Sequence, residues 1–232
     1  MIAIIPARGR SKGLPGKNIR LLNGIPLICY SIKSALQAKS ISKVIVSTDD
    51  DEIAKIAEEC GAEVPFIRPK NLAEDNSMVM DAYIYTIDQL ESQSKEKIES
   101  FVALLPTAPF RLSRDIDNAV EIFKNNNADS VVSITNAHVP IDWYRRIDKN
   151  NLLFDYLPQF DAISNRQELD QAYIPNGAIY IFHTEKLRET RQYYMSRTYP
   201  YIMPRSRSID IDTLEDFQYA EFLIGQKNDW KL

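Results

Sequence analysis

Short apolar runs alternate with segments of helical apolar spacing along most of the chain. The short runs, which predict buried strands, span 2–5, 43–47, 64–67, 101–105, 130–134, 178–182, 201–203 and 209–212. Apolar residues that recur every three or four positions predict helices over 26–38, 50–60, 78–90 and 114–124, and a last helix that ends near 224. This alternation predicts an α/β fold with a mostly parallel, Rossmann-like, doubly wound sheet. Ligands of such sheets bind beyond the carboxyl ends of the strands.

The alternation breaks between about 136 and 172. Aromatic residues and prolines lie there among polar residues without a helical period, namely Pro140, Trp143, Tyr144, Phe154, Tyr156, Pro158 and Phe160. Such an excursion is typical either of a contact with a partner subunit or of a lid over the protein's own site. We therefore expect one domain over 1–232, with 136–172 as its irregular part.

Composition narrows the possible partners and the expected compartment. The chain has 232 residues, is 44% hydrophobic and carries a formal net charge of −4, which suits one α/β domain and argues against a nucleic-acid surface. Cys29 and Cys60 lack metal-ligand spacing, and we expect free thiols in a reducing compartment. His138 and His183 are too far apart in the sequence to indicate a zinc site. The apolar run before Pro6 is too short for a signal peptide or a membrane span, so we expect a cytoplasmic protein.

The loop after the first predicted strand concentrates positive charge and glycine. Its cations and glycines are Arg8, Gly9, Arg10, Lys12, Gly13, Gly16 and Lys17. Arginine offers a planar fork to phosphate, lysine offers a point charge, and glycine lets the backbone approach phosphate oxygens closely. The loop therefore predicts a polyphosphate site.

Two common phosphate-binding patterns are absent from this loop. Lys17 is followed by Asn18, which excludes the P-loop, and no G-x-G-x-x-G follows the strand, which argues against a nicotinamide-dependent dehydrogenase. The form P-A-R-G-x-S-K-G-L-P-x-K-N instead resembles the signature loop of the acylneuraminate cytidylyltransferases, which make CMP-activated sialic acids. The resemblance implies a fold of the nucleotidyltransferase type, CTP as one substrate and a nonulosonic (sialic-type) acid as the other.

A pair of carboxylates, Asp210 and Asp212, lies in the segment S-I-D-I-D-T. On a strand, residues two apart share a face, so the carboxylates would lie together while the intervening isoleucines enter the core. Hard oxygen ligands beside a phosphate loop suit Mg²⁺. Alternatively, Asp212 favours the dipole of the next helix, which a capping box of Thr213 and Asp216 would begin. The resemblance favours Mg²⁺, because I-D-I-D-T matches the family's metal-binding pair.

The segment L-L-P-T-A-P-F-R over 104–111 resembles the family motif L-Q-P-T-S-P-L-R. Leu105 stands where these enzymes usually have a glutamine that contacts the sugar, and Ala108 replaces a serine. The resemblance places Leu105 and Thr107 at the sugar, although Leu105 suits plain packing equally well. The T-A-P-F ending is similar to the pseudaminic acid branch, so the identity of the nonulosonic acid stays open.

Two further segments resemble the family's sugar pocket near its dimer interface, which implies a homodimer. These segments are R-Q-E-L and Y-I-P-N-G-A-I-Y, and they assign to the sugar Arg166, Gln167, Tyr173, Asn176 and Tyr180. Arg166 would pair either with the sugar carboxylate or with an interface acid. Gly177 is expected to permit a tight turn or a close backbone approach.

The resemblance also assigns the nucleotide contacts. The motif R-P…L-A-x-D, with a serine two residues further on, matches a nucleotide-contacting segment and indicates Arg68 and Ser77, although Arg68 could instead form a surface ion pair. Asn18 would position the ribose or the α-phosphate. The remaining nucleotide-binding residues would be those of the first loop, namely Arg8, Gly9, Lys12 and Lys17.

The implied reaction joins CTP and a nonulosonic acid to give a CMP-sugar and pyrophosphate, for cell-surface glycans such as lipopolysaccharide or capsule. Arg8, Lys17 and Asp212 are expected to carry it by positioning and electrostatic stabilisation, and no general base is indicated. Neuraminic, legionaminic and pseudaminic acids remain possible sugars. A ketodeoxyoctonate cytidylyltransferase is a rival that the S-K-G-L-P-G-K-N and N-G-A-I-Y segments oppose. A non-catalytic nucleotide-sugar sensor is the alternative of a different class, which the carboxylate pair opposes.

Overall fold

The computed structural model describes residues 1–74, 77–156 and 171–226. Its strands are β1 (Ile2–Pro6), β2 (Leu21–Leu22), β3 (Ile25–Pro26), β4 (Lys43–Ser47), β5 (Ser100–Ala103), β6 (Ser130–Asn136), β7 (Arg145–Ile147), β8 (Leu153–Asp155), β9 (Tyr173–His183) and β10 (Thr198–Ile202). Its α-helices are α1 (Leu27–Leu36), α2 (Asp51–Glu59), α3 (Val79–Ser94), α4 (Ser113–Asn125), α5 (Thr184–Thr190) and α6 (Leu214–Gln226).

Six strands form the central sheet in the order β10-β6-β9-β5-β1-β4. The pairs β1–β4, β1–β5 and β6–β10 are parallel, whereas β9 is antiparallel to both β5 and β6. The predicted α/β fold with a mostly parallel sheet is therefore confirmed. Reversal of β9 places the Asn176–Gly177 segment, near its start, at the edge where the parallel strands end.

Helices cover both faces of the sheet because the strand residues alternate between two cores. In β1, Ala3 and Ile5 belong to the core with α1, α2 and α4, whereas Ile4 belongs to the core with α3 and α5. A third apolar cluster joins α6 to the first loop through Phe217 and Leu14. This third cluster fixes the position of the first loop relative to the segment that precedes α6.

Some predicted elements differ from the structure. The region 63–67 forms only isolated bridges, Ile45 with Glu63 and Thr48 with Ile67, so the prediction of a strand over 64–67 is wrong. The segment 209–212 is not part of a sheet, because its Ile211 N–H donates to the Thr107 carbonyl oxygen of a loop, and the strand predicted there is also wrong. The irregular region after β6 contains a two-stranded hairpin, β7–β8, that short-range periodicity did not reveal.

The prediction of free thiols is also wrong. Cys29 on α1 and Cys60, directly after α2, form a disulfide with their Cα atoms 5.7 Å apart. The two helices pack side by side on one face of the sheet, which brings together cysteines 31 positions apart in the sequence. No helix among the described residues is long and apolar enough to cross a bilayer.

Candidate active site

A cleft of about 700 Å³ opens at the carboxyl ends of β1 and β5. Its walls bring together ten of the residues that the sequence singled out, namely Arg8, Lys12, Lys17, Asn18, Arg68, Ser77, Leu105, Thr107, Asp210 and Asp212. Segments more than 190 positions apart in the sequence thus meet at one site. The location agrees with the expectation that ligands bind beyond the carboxyl ends of parallel strands.

The first loop is fixed by one hydrogen bond to the segment after β4 and by another to its own start. The Gly9 N–H donates to Asp49 Oδ1 at 3.0 Å, and Asn18 Nδ2 donates to the Arg8 carbonyl oxygen at 2.9 Å. Gly13 packs against Asp212, since a Cβ at Gly13 would overlap the Asp212 carbonyl oxygen. The loop is therefore shaped by contacts that a bulkier residue at 13 would break.

Lys17 links this loop to the carboxylate pair. Its ammonium donates to the Ile211 carbonyl oxygen and to Asp212 Oδ1, both at 2.8 Å. The Lys17 side chain is 11% exposed and that of Asp212 is 72% exposed. The lysine is therefore fixed by its hydrogen bonds, while the Asp212 carboxylate faces the cleft and is accessible to a ligand.

The two carboxylates line the same cleft, as the alternation predicted. Asp210 and Asp212 are exposed to the cleft, whereas Ile211 between them is fully buried. Desolvation raises the pKa of Asp210, and the nearby Asp212 carboxylate raises it further, although a hydrogen bond from Thr107 opposes both effects. A cation beside the two carboxylates would favour the charged form of Asp210.

A bulge in β9 forms the support on which Asp210 rests. The β6–β9 register shifts between Val132 and Ile134, and Gly177 adopts a φ of +69°. A Cβ at Gly177 would lie 2.9 Å from Asp210 Oδ2, which confirms the predicted close backbone approach. Asn176 is buried, accepts from Ser133 Oγ at 2.6 Å and holds the bulge in place. Asn176 does not line the cleft.

Arg68 lines the cleft and is held by an acid behind it, Asp49, to which sequence reasoning gave no role. The Arg68 side chain is 3% exposed, its Nη1 donates to the Ser47 carbonyl oxygen at 3.2 Å, and its Nη2 lies 4.0 Å from Asp49 Oδ1. Burial lowers the pKa of Arg68, and Asp49 opposes that shift. Asp49 thereby connects Arg68 to Gly9. The run T-D-D over 48–50, after a buried strand, was the sequence signal that could have indicated a role for this acid.

The remaining predicted site residues are more dispersed. Ser77 lines the cleft and donates to the Asn71 carbonyl oxygen at 2.7 Å. Tyr180 is buried in an aromatic cluster with Phe182, and Tyr173 is 43% exposed at the start of β9. Neither tyrosine lines the cleft. Arg166 and Gln167, like Asp75, lie outside the described residues. The sugar-binding role of these residues stays a prediction.

The donor set fits a hard divalent cation that is completed by substrate. Within 1–74, 77–156 and 171–226, no group of three or more His, Cys, Asp or Glu side chains is arranged to hold a metal ion by itself. The two cleft carboxylates are the number that Mg²⁺ usually takes from a protein when substrate phosphates supply further oxygens.

A sequence profile described as Cytidylyltransferase matches residues 2–230 of the chain. The chain belongs to the cytidylyltransferase family. It is thus related to nucleotidyltransferases over almost its whole length, as the four separated motifs predicted.

Curated relatives of this family are similar to the chain from end to end. The CMP-N,N'-diacetyllegionaminic acid synthase of Legionella pneumophila is 39% identical over 227 residues, which cover 97% of this chain and 96% of the relative. The pseudaminic acid cytidylyltransferase of Campylobacter jejuni is 32% identical over 222 residues, which cover 96% and 95%. The N-acylneuraminate cytidylyltransferase of Escherichia coli is 35% identical over 233 residues, but the chain spans only 54% of its length. The predicted resemblance to acylneuraminate cytidylyltransferases is confirmed.

A solved structure shares the fold at much lower identity. The CMP:2-keto-3-deoxy-manno-octonic acid synthetase complexed with CTP superposes with a TM-score of 0.71 and 16% identity, covering 97% of this chain and 98% of that one. This likeness confirms the nucleotidyltransferase type of fold.

Proposed function

We propose that this cytidylyltransferase transfers CMP from CTP to a nonulosonic acid. The observation that carries the proposal is the meeting of the cationic loop with the Asp210–Asp212 pair across one cleft of about 700 Å³. A cleft of this size suits a nucleotide and a sugar acid together. Two relatives that match over almost their full length are named for legionaminic and pseudaminic acids. These names support the same substrate class.

In the proposed reaction, the anomeric hydroxyl oxygen of the sugar acid forms a bond to the α-phosphorus of CTP. The bond between the α-phosphorus and the bridging oxygen to the β-phosphate breaks, pyrophosphate leaves with that oxygen, and the hydroxyl proton is lost to solvent. Negative charge builds on phosphate oxygens as the bond changes, so positioning and preorganised positive charge are the expected sources of catalysis.

Residues of the first loop would hold the triphosphate. Arg8 and Lys12 line the cleft beside Lys17, whose ammonium is already fixed by two hydrogen bonds. Preorganised cations need no rearrangement when charge develops, which is why they stabilise a transition state more than mobile ones. Asn18 donates a hydrogen bond to the Arg8 carbonyl oxygen, and this bond would hold the loop close to the ribose or the α-phosphate.

Asp210 and Asp212 would hold Mg²⁺. Bound there, the ion would neutralise charge on the substrate phosphates. The ion would then offset the repulsion between the two carboxylates. The hydrogen bond from Lys17 would hold the Asp212 carboxylate in position. Arg68 would contact the nucleotide in the cleft, where its guanidinium is oriented by Ser47 and Asp49.

The proposal extends to the sugar, the assembly and the cellular role. The sugar would lie near Leu105 and Thr107, and legionaminic, pseudaminic and neuraminic acids are all candidates.

We further propose a homodimer through the β7–β8 hairpin, where Ile147 and Leu153 are 68% and 66% exposed. The enzyme would act in the cytoplasm and supply activated sugar for cell-surface glycans.

Release of pyrophosphate tests the proposal and identifies the sugar. The protein is incubated with CTP and Mg²⁺ and with N-acetylneuraminic, legionaminic, pseudaminic or ketodeoxyoctonic acid in turn. Turnover of one nine-carbon acid, abolished by EDTA, is the expected result. Turnover of ketodeoxyoctonic acid alone would select the rival enzyme. Silence with every acid, from folded protein that binds CTP, would select the non-catalytic sensor.

A further inference from the structure

Arg111 is a buried cation behind the wall of the cleft. Its side chain is 2% exposed, and the residue does not line the cleft. Its Nε donates to the Ala178 carbonyl oxygen at 2.7 Å, and its Nη2 donates to the Leu105 carbonyl oxygen. Because burying a charge is costly unless hydrogen bonds or opposite charge compensate it, these two contacts are needed to keep the side chain there. Arg111 thereby bridges β9 and the segment that continues β5, just beyond the last pair of these strands, Ala103 with Tyr180.

Both acceptors of Arg111 adjoin residues of the proposed metal site. Ala178 directly follows Gly177, whose missing side chain leaves room for the Asp210 carboxylate. Leu105 lines the cleft, and two residues later the Thr107 carbonyl oxygen accepts from the Ile211 N–H at 2.8 Å. A shift of the Arg111 side chain would therefore move both supports of Asp210.

The charge of Arg111 also acts on this carboxylate. Burial lowers the pKa of Arg111, and the two acids that oppose the shift are Asp115 and Asp210. Asp115 already accepts two hydrogen bonds from Arg207, at 2.8 and 2.9 Å, and one from Tyr201 at 2.8 Å. Arg111 Nη1 is buried and has no hydrogen-bond partner among the described residues. Asp115 is thus shared with Arg207 and Tyr201, and Asp210 is the other acid whose charge acts on Arg111.

We propose that Arg111 is a positioning residue that holds the Asp210 carboxylate and the Leu105–Thr107 wall in their working geometry. The inference rests on the proposed function, since it assigns Asp210 to the metal. Arg111 touches neither substrate in this arrangement. It acts through the bulge at Gly177 and through the loop that receives the Ile211 N–H.

Two substitutions at Arg111 separate its charge from its hydrogen-bonding fork. Arg111→Lys keeps the charge but offers one nitrogen where two are used, and Arg111→Met keeps the length without charge. Loss of a residue that orients a metal ligand typically costs about 10–100-fold in metal affinity or activity. We expect a kcat loss in that range for Arg111→Met, a smaller loss for Arg111→Lys, and a KM for CTP within about threefold of the parent, because the phosphate loop is untouched.

Binding of Mn²⁺ alone, followed by electron paramagnetic resonance, provides a readout that does not depend on turnover. The half-saturating Mn²⁺ concentration should rise in both variants in the same order as kcat falls. Arg188→Lys is the matched control, since Arg188 pairs with Asp88, Glu91 and Glu185 far from the cleft and should leave kcat and Mn²⁺ affinity unchanged.

The outcomes distinguish this inference from the proposed function. Parent protein that binds Mn²⁺ without turnover would overturn the reaction while the Mn²⁺ measurement still decides on Arg111. Folded Arg111→Lys and Arg111→Met with parental kcat and Mn²⁺ affinity would overturn the positioning role, as would a parent that binds no Mn²⁺. If both variants fail to unfold cooperatively, Gly177→Ala reaches the same carboxylate from the bulge; unchanged Mn²⁺ affinity there would also overturn the inference.

Discussion

At the scale of single residues, the cleft depends on a division between anchored and accessible groups. Lys17 is anchored by the Ile211 carbonyl oxygen and leaves Asp212 72% exposed beside it. An ion pair whose carboxylate is 72% exposed adds little to stability, so the pair is better explained by the chemistry of the cleft than by folding. Asp212 is accordingly the side chain whose loss should affect turnover most and the fold least.

Replacement of Asp212 by alanine is expected to lower kcat by about 10²-fold or more, the usual effect of removing an electrostatic stabiliser of a transition state. Thermal unfolding should remain cooperative with a similar midpoint, because the side chain is exposed. Asp88→Asn on α3, a carboxylate that is 54% exposed and distant from the cleft, is the control. Near-normal kcat for Asp212→Ala in Mg²⁺ would exclude the metal role of this carboxylate.

Leu105 is the residue at which the sugar preference should be most open to change. It lines the cleft, and it also packs partly against the core that contains Tyr180. Leu105→Gln adds an amide at the proposed sugar contact and should change the ranking of neuraminic, legionaminic and pseudaminic acids by kcat/KM. The same ranking in parent and variant would assign Leu105 to packing alone.

Residue chemistry was predictable where a local pattern carried it. The cationic loop, the carboxylate pair, the close approach at Gly177 and the capping box that joins Thr213 and Asp216 all follow from spacing within a few positions. Asp49 and Arg111 were given no role, because one partner of each is distant in the sequence: Gly9 lies 40 positions from Asp49, and Ala178 lies 67 positions from Arg111. Contacts of that range depend on how the strands are ordered in the sheet.

At the scale of elements, the antiparallel strand β9 explains several features that periodicity could not reveal. Its insertion between β5 and β6 brings Gly177 against Asp210, and its length of 11 residues exceeds the five predicted from the apolar run 178–182. The β7–β8 hairpin was missed for a related reason. Its two strands are three residues each and all six residues are exposed, so they carry no buried alternation.

The disulfide between α1 and α2 is expected to stabilise the oxidised protein. Closing a loop of this length contributes about 2–4 kcal/mol, mainly by restricting the unfolded chain. Reductant should therefore lower the free energy of unfolding by that amount in urea titrations. Cys60→Ser should match the reduced parent and show no response to reductant. Equal unfolding midpoints of oxidised and reduced parent, with the redox state verified by mass spectrometry, would contradict this account.

At the scale of the whole molecule, the β7–β8 hairpin and the residues beside it expose several large apolar side chains. Trp143, Ile147, Leu153, Phe154 and Tyr156 are all between 43% and 68% exposed within 14 positions of the chain. Contiguous apolar surface of this kind is typical of an interface between proteins. A second copy of the chain is the partner that the family resemblance implies.

Leu153→Asp is expected to convert the proposed dimer to a monomer, because a buried unpaired charge at an interface is unfavourable. Light scattering coupled to size-exclusion chromatography measures the mass directly. Phe222→Asp on α6, where the phenyl ring is 59% exposed outside the hairpin, should leave the dimer intact. A monomeric parent at micromolar concentration, or a dimeric Leu153→Asp variant, would contradict the proposed interface.

The central claim is transfer of CMP to a sugar, and ³¹P NMR of a single reaction mixture tests it most directly. With protein, CTP, Mg²⁺ and the preferred nonulosonic acid, the three CTP resonances should give way to one phosphodiester resonance and one of pyrophosphate. Formation of free CMP instead of the phosphodiester would indicate hydrolysis, and unchanged CTP in the presence of folded, CTP-binding protein would indicate a sensor. Either result would contradict the account.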